Sequence, residues 1–167
     1  IHTALQKARG VMYKAEVPLM NTSLHGELYY CVSGRADGVT EEGGETLVEE
    51  IKSVSGYEFI LPPDRTHMAQ LICYAHFLCA ERELESIKTR LTYIDIDSGK
   101  ERNFDKVYTA DILRLEYTRL LERIEPWALL EKNRSEELLP SLKNAVFPYS
   151  GLRDGQRDLI GEAYSAM

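Results

Sequence analysis

Short stretches of alternating apolar and polar residues fill the first half of the chain, and long stretches with helical spacing fill the second. Residues 1–10 read as a helix stopped at Gly10. "AEVPLMN", residues 15–21, reads as a strand interrupted by Pro18, which suits a sheet edge because proline cannot donate to a ladder. "HGELYYCVSGRADGVT" predicts a longer strand with an irregularity at Gly34, "EEGG" a turn, and "ETLVEEIKSV" the next strand. These three segments predict an antiparallel meander. "LPPD" then breaks the chain, and Asp64 is a good N-cap for a helix over about 65–86. "KTRLTYIDID" predicts a fourth strand, "SGKE" a turn, and a second long helix follows over about 109–133. The remainder reads as helical with breaks at Pro140 and Pro148. The order helix, three strands, helix, strand predicts an α/β fold, a sheet with helices packed on it.

The residues on these elements sharpen the picture. In "VEEIKSV", period-two alternation sets Val48, Glu50, Lys52 and Val54 on one strand face and Leu47, Glu49, Ile51 and Ser53 on the other. A surface ion pair between Glu50 and Lys52 would account for those charges at little energetic value. The preceding strand adds Asp37, flanked by Gly34 and Gly38 near that strand's expected end. A hairpin centred between residues 43 and 44 brings Asp37 opposite Glu50. Two neighbouring carboxylates repel, and burial raises the cost, unless a divalent cation sits between them. Hard oxygen ligands suit Mg²⁺ or Mn²⁺. Lys52 would then point at a substrate beside the ion, to orient or deprotonate a water or to neutralise phosphate charge. A cross-strand ion-pair network is the alternative, with Lys52 simply neutralising Asp37. Glu49 is expected to be solvent-exposed or paired with a helix.

The helix beginning near residue 65 is apolar on nearly every side over 68–80, as a buried helix would be. His67, Gln70 and Tyr74 stand at i, i+3 and i+7 and form one polar stripe. Buried polar groups need partners, so the stripe either is satisfied inside the protein or faces a cleft.

Asp37 followed by Glu50-Ile51-Lys52 resembles the D…ExK signature of the PD-(D/E)XK nucleases. Gln70 and Tyr74, at i and i+4, resemble the QxxxY motif of the RecB-like branch, and His2 resembles the histidine that branch carries on its first helix. Glu16 sits where such nucleases have a strand leading into the meander. The resemblance spans residues 2–74 and implies a restriction-endonuclease-like core, a mixed β-sheet flanked by helices, over 1–145. It implies catalytic Asp37, Glu50 and Lys52. It further implies a divalent ion held by Asp37, Glu50, the Ile51 carbonyl and His2. Gln70 and Tyr74 would guide DNA, with Arg35, Arg65 and His67 as phosphate contacts and Glu16 as a supporting acid. The implied activity is phosphodiester hydrolysis in DNA repair or recombination, an exonuclease on single-stranded ends. The alternatives are a non-catalytic DNA clamp or scaffold of the same fold, and an acidic module that binds a basic protein.

Residues 146–167, "VFPYSGLRDGQRDLIGEAYSAM", resemble the opening of DinG-like helicases, with Tyr149, Arg153 and Gln156 in the relevant places. In such helicases the glutamine reads adenine. No glycine-rich phosphate loop follows within this sequence, so ATP is expected to act only through a motor domain further along the chain. A plain amphipathic helix is the other reading of this stretch.

Composition sets outer limits. The chain has 167 residues, 44% hydrophobic and 28% charged, as an ordinary globular domain has. Its net charge of −7 argues against a generally basic nucleic-acid binder, though a cation reverses the local sign. Three cysteines, Cys31, Cys73 and Cys79, are too few for a disulfide framework and read as buried thiols in a reducing, cytoplasmic and bacterial setting. Some RecB-like nucleases hold an iron–sulfur cluster with three late cysteines, and no cysteine follows Cys79, so no such cluster is expected. No apolar run approaches the roughly 18–20 residues that cross a bilayer, and no membrane partner is expected.

Overall fold

Gly43 and Gly44 both adopt positive φ, at 59° and 82°, and so make the tight turn on which the sheet is built. In the computed structural model this turn joins β2 (Leu28–Glu42) to β3 (Glu45–Val54). The structure describes residues 2–59, 61–143, 146 and 150–165, with no side-chain description at 2–4, 57, 139 and 141–143. A helix α1 (His2–Ala8) precedes β1 (Tyr13–His25), and a single turn α2 (Gly56–Phe59) follows β3. Next come α3 (Arg65–Arg82), β4 (Ser86–Asp95), β5 (Glu101–Thr109), α4 (Ala110–Lys143) and α5 (Gln156–Ser165).

The five strands form one mixed sheet in the order β1-β2-β3-β4-β5. β1, β2 and β3 are successively antiparallel, the expected meander, with Pro18 on an edge strand. α3 carries the chain across to β4, which runs parallel to β3, and β5 returns antiparallel to β4. β5 is absent from the sequence expectation. Its apolar side chains are thinly spread among charges in "ERNFDKVYT", so it lacks a strong strand signature.

Asp64 caps α3 as expected, its Oδ1 accepting from the amides of Thr66 at 2.7 Å and His67 at 3.4 Å. The helix stops at Glu83, in the left-handed conformation at φ 53°, three residues before the predicted end. Leu71, Ala75 and Leu78 of α3 pack with Val48 of β3, Leu91 of β4 and Leu113 and Tyr117 of α4 in one core.

α4 continues ten residues past its predicted end and runs through both Pro126 and Pro140, so the expected break at Pro140 is not where the helix ends. Pro148 lies outside the described residues. A compact unit spans 1–126, and a second spans 127–167. In the second unit α5 has no buried residue among those described. No helix among the described residues is long and apolar enough to cross a membrane.

One local fault in the sheet positions the site. Ala36 and Val39 belong to the same core, although residues three apart in a regular strand face opposite ways. The alternation therefore changes phase between them, at Asp37. Across the ladder, Ala15 pairs Gly38 and Val17 pairs Ala36, while Glu16 between them takes a left-handed φ of 55°. The irregularity expected at Gly34 lies here instead, and Gly34 keeps its regular partner Leu19. Asp37 is also five residues short of the strand's end, because β2 runs on to Glu42.

Candidate functional site

The β2–β3 register is Gly38↔Glu49, Val39↔Val48, Thr40↔Leu47, and so on to the turn. One further step would set Asp37 opposite Glu50, as the hairpin centre predicts. The backbone ladder stops short of that step, and the Asp37 side chain takes its place. Asp37 Oδ2 accepts a 2.6 Å hydrogen bond from the Ile51 amide, which holds its carboxylate beside Glu50.

Glu50 is 2% exposed. Lys52 Nζ lies 2.6 Å from its Oε1. Its Oε2 is buried with no hydrogen-bond partner. Burial pushes the Glu50 pKa up to about 7; the hydrogen bond from Lys52 pulls it down, and the charges of Asp37 and Glu16 push it further up. A carboxylate with one oxygen tied to an ammonium and the other left bare is an incomplete site.

α3 completes the wall. Lys52 Nζ donates to Gln70 Oε1 at 3.0 Å, and Gln70 Nε2 donates to the Tyr74 hydroxyl at 3.1 Å. The polar stripe thus faces the strand residues and is satisfied by them. Tyr74 is buried against β2 at Gly34, where an added Cβ would come within 2.7 Å of the Tyr74 ring and hydroxyl. His67, one turn earlier, shares a 2.9 Å hydrogen bond with the hydroxyl of Tyr93, which is the β4 neighbour of Lys52.

The other predicted residues spread around this centre. Glu16 is exposed, accepts 2.9 Å from Gln6 Nε2, and lies 3.7 Å from Arg35 Nη1. Arg35 itself is largely exposed. Arg65 stands exposed at the first position of α3. His2 lies in α1, and its side chain is outside the described residues. Ile51 is fully buried; its amide is the donor to Asp37. Gln156 opens α5 in the second unit, and its Oε1 accepts from the Arg153 amide at 2.8 Å, so this amide is engaged locally. Tyr149 lies outside the described residues. Among the cysteines only Cys79 is buried; Cys31 is exposed and Cys73 half-buried, against the expectation of three buried thiols.

Two participants escaped the sequence reading, Gln6 and Tyr93. Gln6 is 8% exposed and donates both to Glu16 and, at 3.0 Å, to the Asp37 carbonyl. Its position four residues after His2, on the same helix face, was the available signal. Tyr93 could have been placed by the alternation of β4. Glu49 is not exposed: it is 1% exposed and gripped by Arg9, which follows α1, at 2.7 and 3.2 Å, and by Thr92 at 2.5 Å. This network occupies the opposite face of β3 from Glu50.

The acidic pair suits a hard cation in donor chemistry. Among the described residues, no three His, Cys, Asp or Glu side chains are grouped to hold a metal ion. Mg²⁺ is commonly bound through one or two carboxylates, with waters and substrate phosphate oxygens filling its octahedron, so two carboxylates fit it.

No family model matches this chain, and no curated protein matches it. Among solved structures, the crystal structure of SSO0001 is similar, at 28% sequence identity and a TM-score of 0.50, over 72% of this chain and 57% of that one. The chain thus spans a little over half the length of that protein. The similarity bears on the fold, a five-stranded mixed sheet flanked by helices.

Proposed function

We propose that this chain is a divalent-metal-dependent deoxyribonuclease domain with a PD-(D/E)XK core of the RecB-like kind. The observation that carries this reading is the bare, buried Glu50 Oε2 beside Asp37, with the Lys52 ammonium on the same strand face. Leaving a buried carboxylate oxygen unpaired is costly, and a bound cation removes the cost. Asp37, Glu50 and the Ile51 carbonyl would hold Mg²⁺ or Mn²⁺, with His2 as the further ligand implied by resemblance.

When bound, the ion supplies Lewis-acid polarisation of a phosphoryl oxygen and a water of lowered pKa. The chain's own residues do the rest. Lys52, fixed from two sides by Glu50 and Gln70, presents an ammonium proton to the water or to a phosphate oxygen. The hydrogen bonds of Gln70 and Tyr74 keep that ammonium from drifting. Asp37 is prevented from rotating away by the Ile51 amide. Arg35 and Arg65, both exposed, would meet backbone phosphates. Exonuclease action on single-stranded ends, in repair or recombination and coupled to a helicase in the same chain, is the biological setting that the sequence resemblance suggests.

The test is cleavage of labelled single- and double-stranded DNA in Mg²⁺, Mn²⁺ or EDTA. Hydrolysis is expected with either metal and none in EDTA. Asp37→Ala, Glu50→Ala and Lys52→Ala are each expected to lower kcat by about a hundredfold or more. Metal-independent cleavage, or a fully active Glu50→Ala protein, contradicts the proposal. DNA binding with no cleavage under any condition would favour the clamp or scaffold reading.

A further inference from the structure

The segment joining β3 to α3 walls a cavity of about 610 Å³ at the end of the strand that carries Glu50 and Lys52. That volume lies within the range of about 300–1,000 Å³ common for small-ligand sites. Val54, Leu61 and Pro62 give it apolar surface, and His67, Thr66 and Tyr93 give it polar and aromatic surface. The segment is braced from β5, where Arg102 Nη1 donates to the carbonyls of Phe59 at 3.0 Å and Leu61 at 3.2 Å. The cavity adjoins the candidate site by two routes. Tyr93 is the register partner of Lys52, and His67 stands three residues before Gln70, which holds Lys52.

The hydrogen bonds fix which edge of His67 meets Tyr93. The Tyr93 hydroxyl accepts from the Asp64 amide at 2.8 Å, so its own hydrogen needs an acceptor. His67 Nδ1 lies 2.9 Å away, within hydrogen-bond reach of it. With Nδ1 engaged by Tyr93, the Nε2 edge of His67 is the one left for a ligand in the cavity. The walls also include the carboxylates of Glu58 and Asp64, which disfavour a phosphate and tolerate an uncharged heterocycle.

We propose that this cavity receives the base of the nucleotide next to the scissile phosphate, with His67 as its hydrogen-bonding partner and Val54, Leu61 and Pro62 as its apolar wall. The proposal rests on the nuclease reading of Asp37, Glu50 and Lys52. It gives that site a defined handle on its substrate: a nucleotide whose base leaves the stack while its phosphate reaches the acidic pair.

The experiment uses the full chain in Mg²⁺ and a set of oligonucleotides, each with one abasic residue stepped along the strand. For the wild type, the abasic residue at one position flanking the cut is expected to raise KM about tenfold with kcat little changed, the loss a stacked base commonly causes. His67→Ala is expected to raise KM several-fold for the intact strand and to shrink the abasic penalty at that one position, because the two changes remove the same interaction. Thr66→Trp, at an exposed position of the first helical turn, narrows the cavity without touching the core and carries the same expectation should His67→Ala fail to fold. Equal tolerance of abasic residues at every position overturns the base pocket and leaves the nuclease reading intact. So does an abasic penalty undiminished in Thr66→Trp and in folded His67→Ala. Failure of the wild type to cleave any strand overturns the nuclease reading, and the pocket with it.

Discussion

Two glutamates that are neighbours in the chain have opposite fates. Glu49 is buried and fully engaged by Arg9 and Thr92, whereas Glu50 is buried with one oxygen bare. The raised pKa of Glu50 makes this difference measurable. Its folded value of about 7 lies above its ordinary 4.5, so the folded state binds the extra proton between those values. Stability from this group is present below about pH 4.5 and is lost as pH rises through about 7. In urea unfolding without divalent ions, the loss is expected to be of the order of 3 kcal/mol across that window. Glu50→Gln should flatten it, and added Mg²⁺ should restore stability above pH 7, because the ion competes with the proton for the same oxygens. At this scale strand periodicity put Glu50 and Lys52 on one face, the hairpin centre put Asp37 beside Glu50, and helix spacing put Gln70 and Tyr74 on one stripe; that the stripe meets Lys52 was not legible. The sequence was silent on Gln6 and misleading on Cys31, because burial of a small side chain depends on which element covers it; of its two readings of Glu49, pairing holds, through Arg9 just past the end of α1, and exposure does not.

Among the elements, the pairing of β2 with β3 was readable because a two-glycine turn fixes the hairpin centre. The phase change at Asp37 was not, because nothing in "GRADGV" marks which residue will break alternation; it sits across the ladder from Glu16, which takes a left-handed conformation. β5 went unseen for want of apolar residues. α4 outran its prediction because proline lowers helix propensity without forbidding a helix, and the chain stays helical through Pro126 and Pro140. The contact of α3 with β2 offers a sharp check. Gly34→Ala would drive a Cβ into the buried Tyr74 ring, so a destabilisation of about 1–3 kcal/mol is expected in chemical denaturation. The displaced Tyr74 should also release Gln70, so that kcat falls more than the loss of folded protein explains.

For the whole molecule, the buried hydrophobic side chains among the described residues all lie between Leu19 and Leu121. The first compact unit ends at Pro126, so it contains both this core and the candidate site. A chain ending at Pro126 is therefore expected to fold cooperatively and to unfold within about 1 kcal/mol of the longer chain, as read from paired urea midpoints. A midpoint lowered by much more would mean that residues beyond 126 share in the core. The sequence suggested a division further along, after residue 145, from the resemblance of residues 146–167 to the opening of a helicase, which speaks to ancestry and not to packing.

The strand that holds both glutamates also restricts how this molecule can vary. An extra residue at Gly43–Gly44 can be taken up by a longer loop, leaving the ladder untouched. The same insertion between Glu45 and Val48 would rotate everything beyond it by half a turn. Glu50 would then be presented to Arg9 and Glu49 to the cleft, with Lys52 carried to the wrong side. Length changes in viable variants of this hairpin should accordingly cluster at its tip.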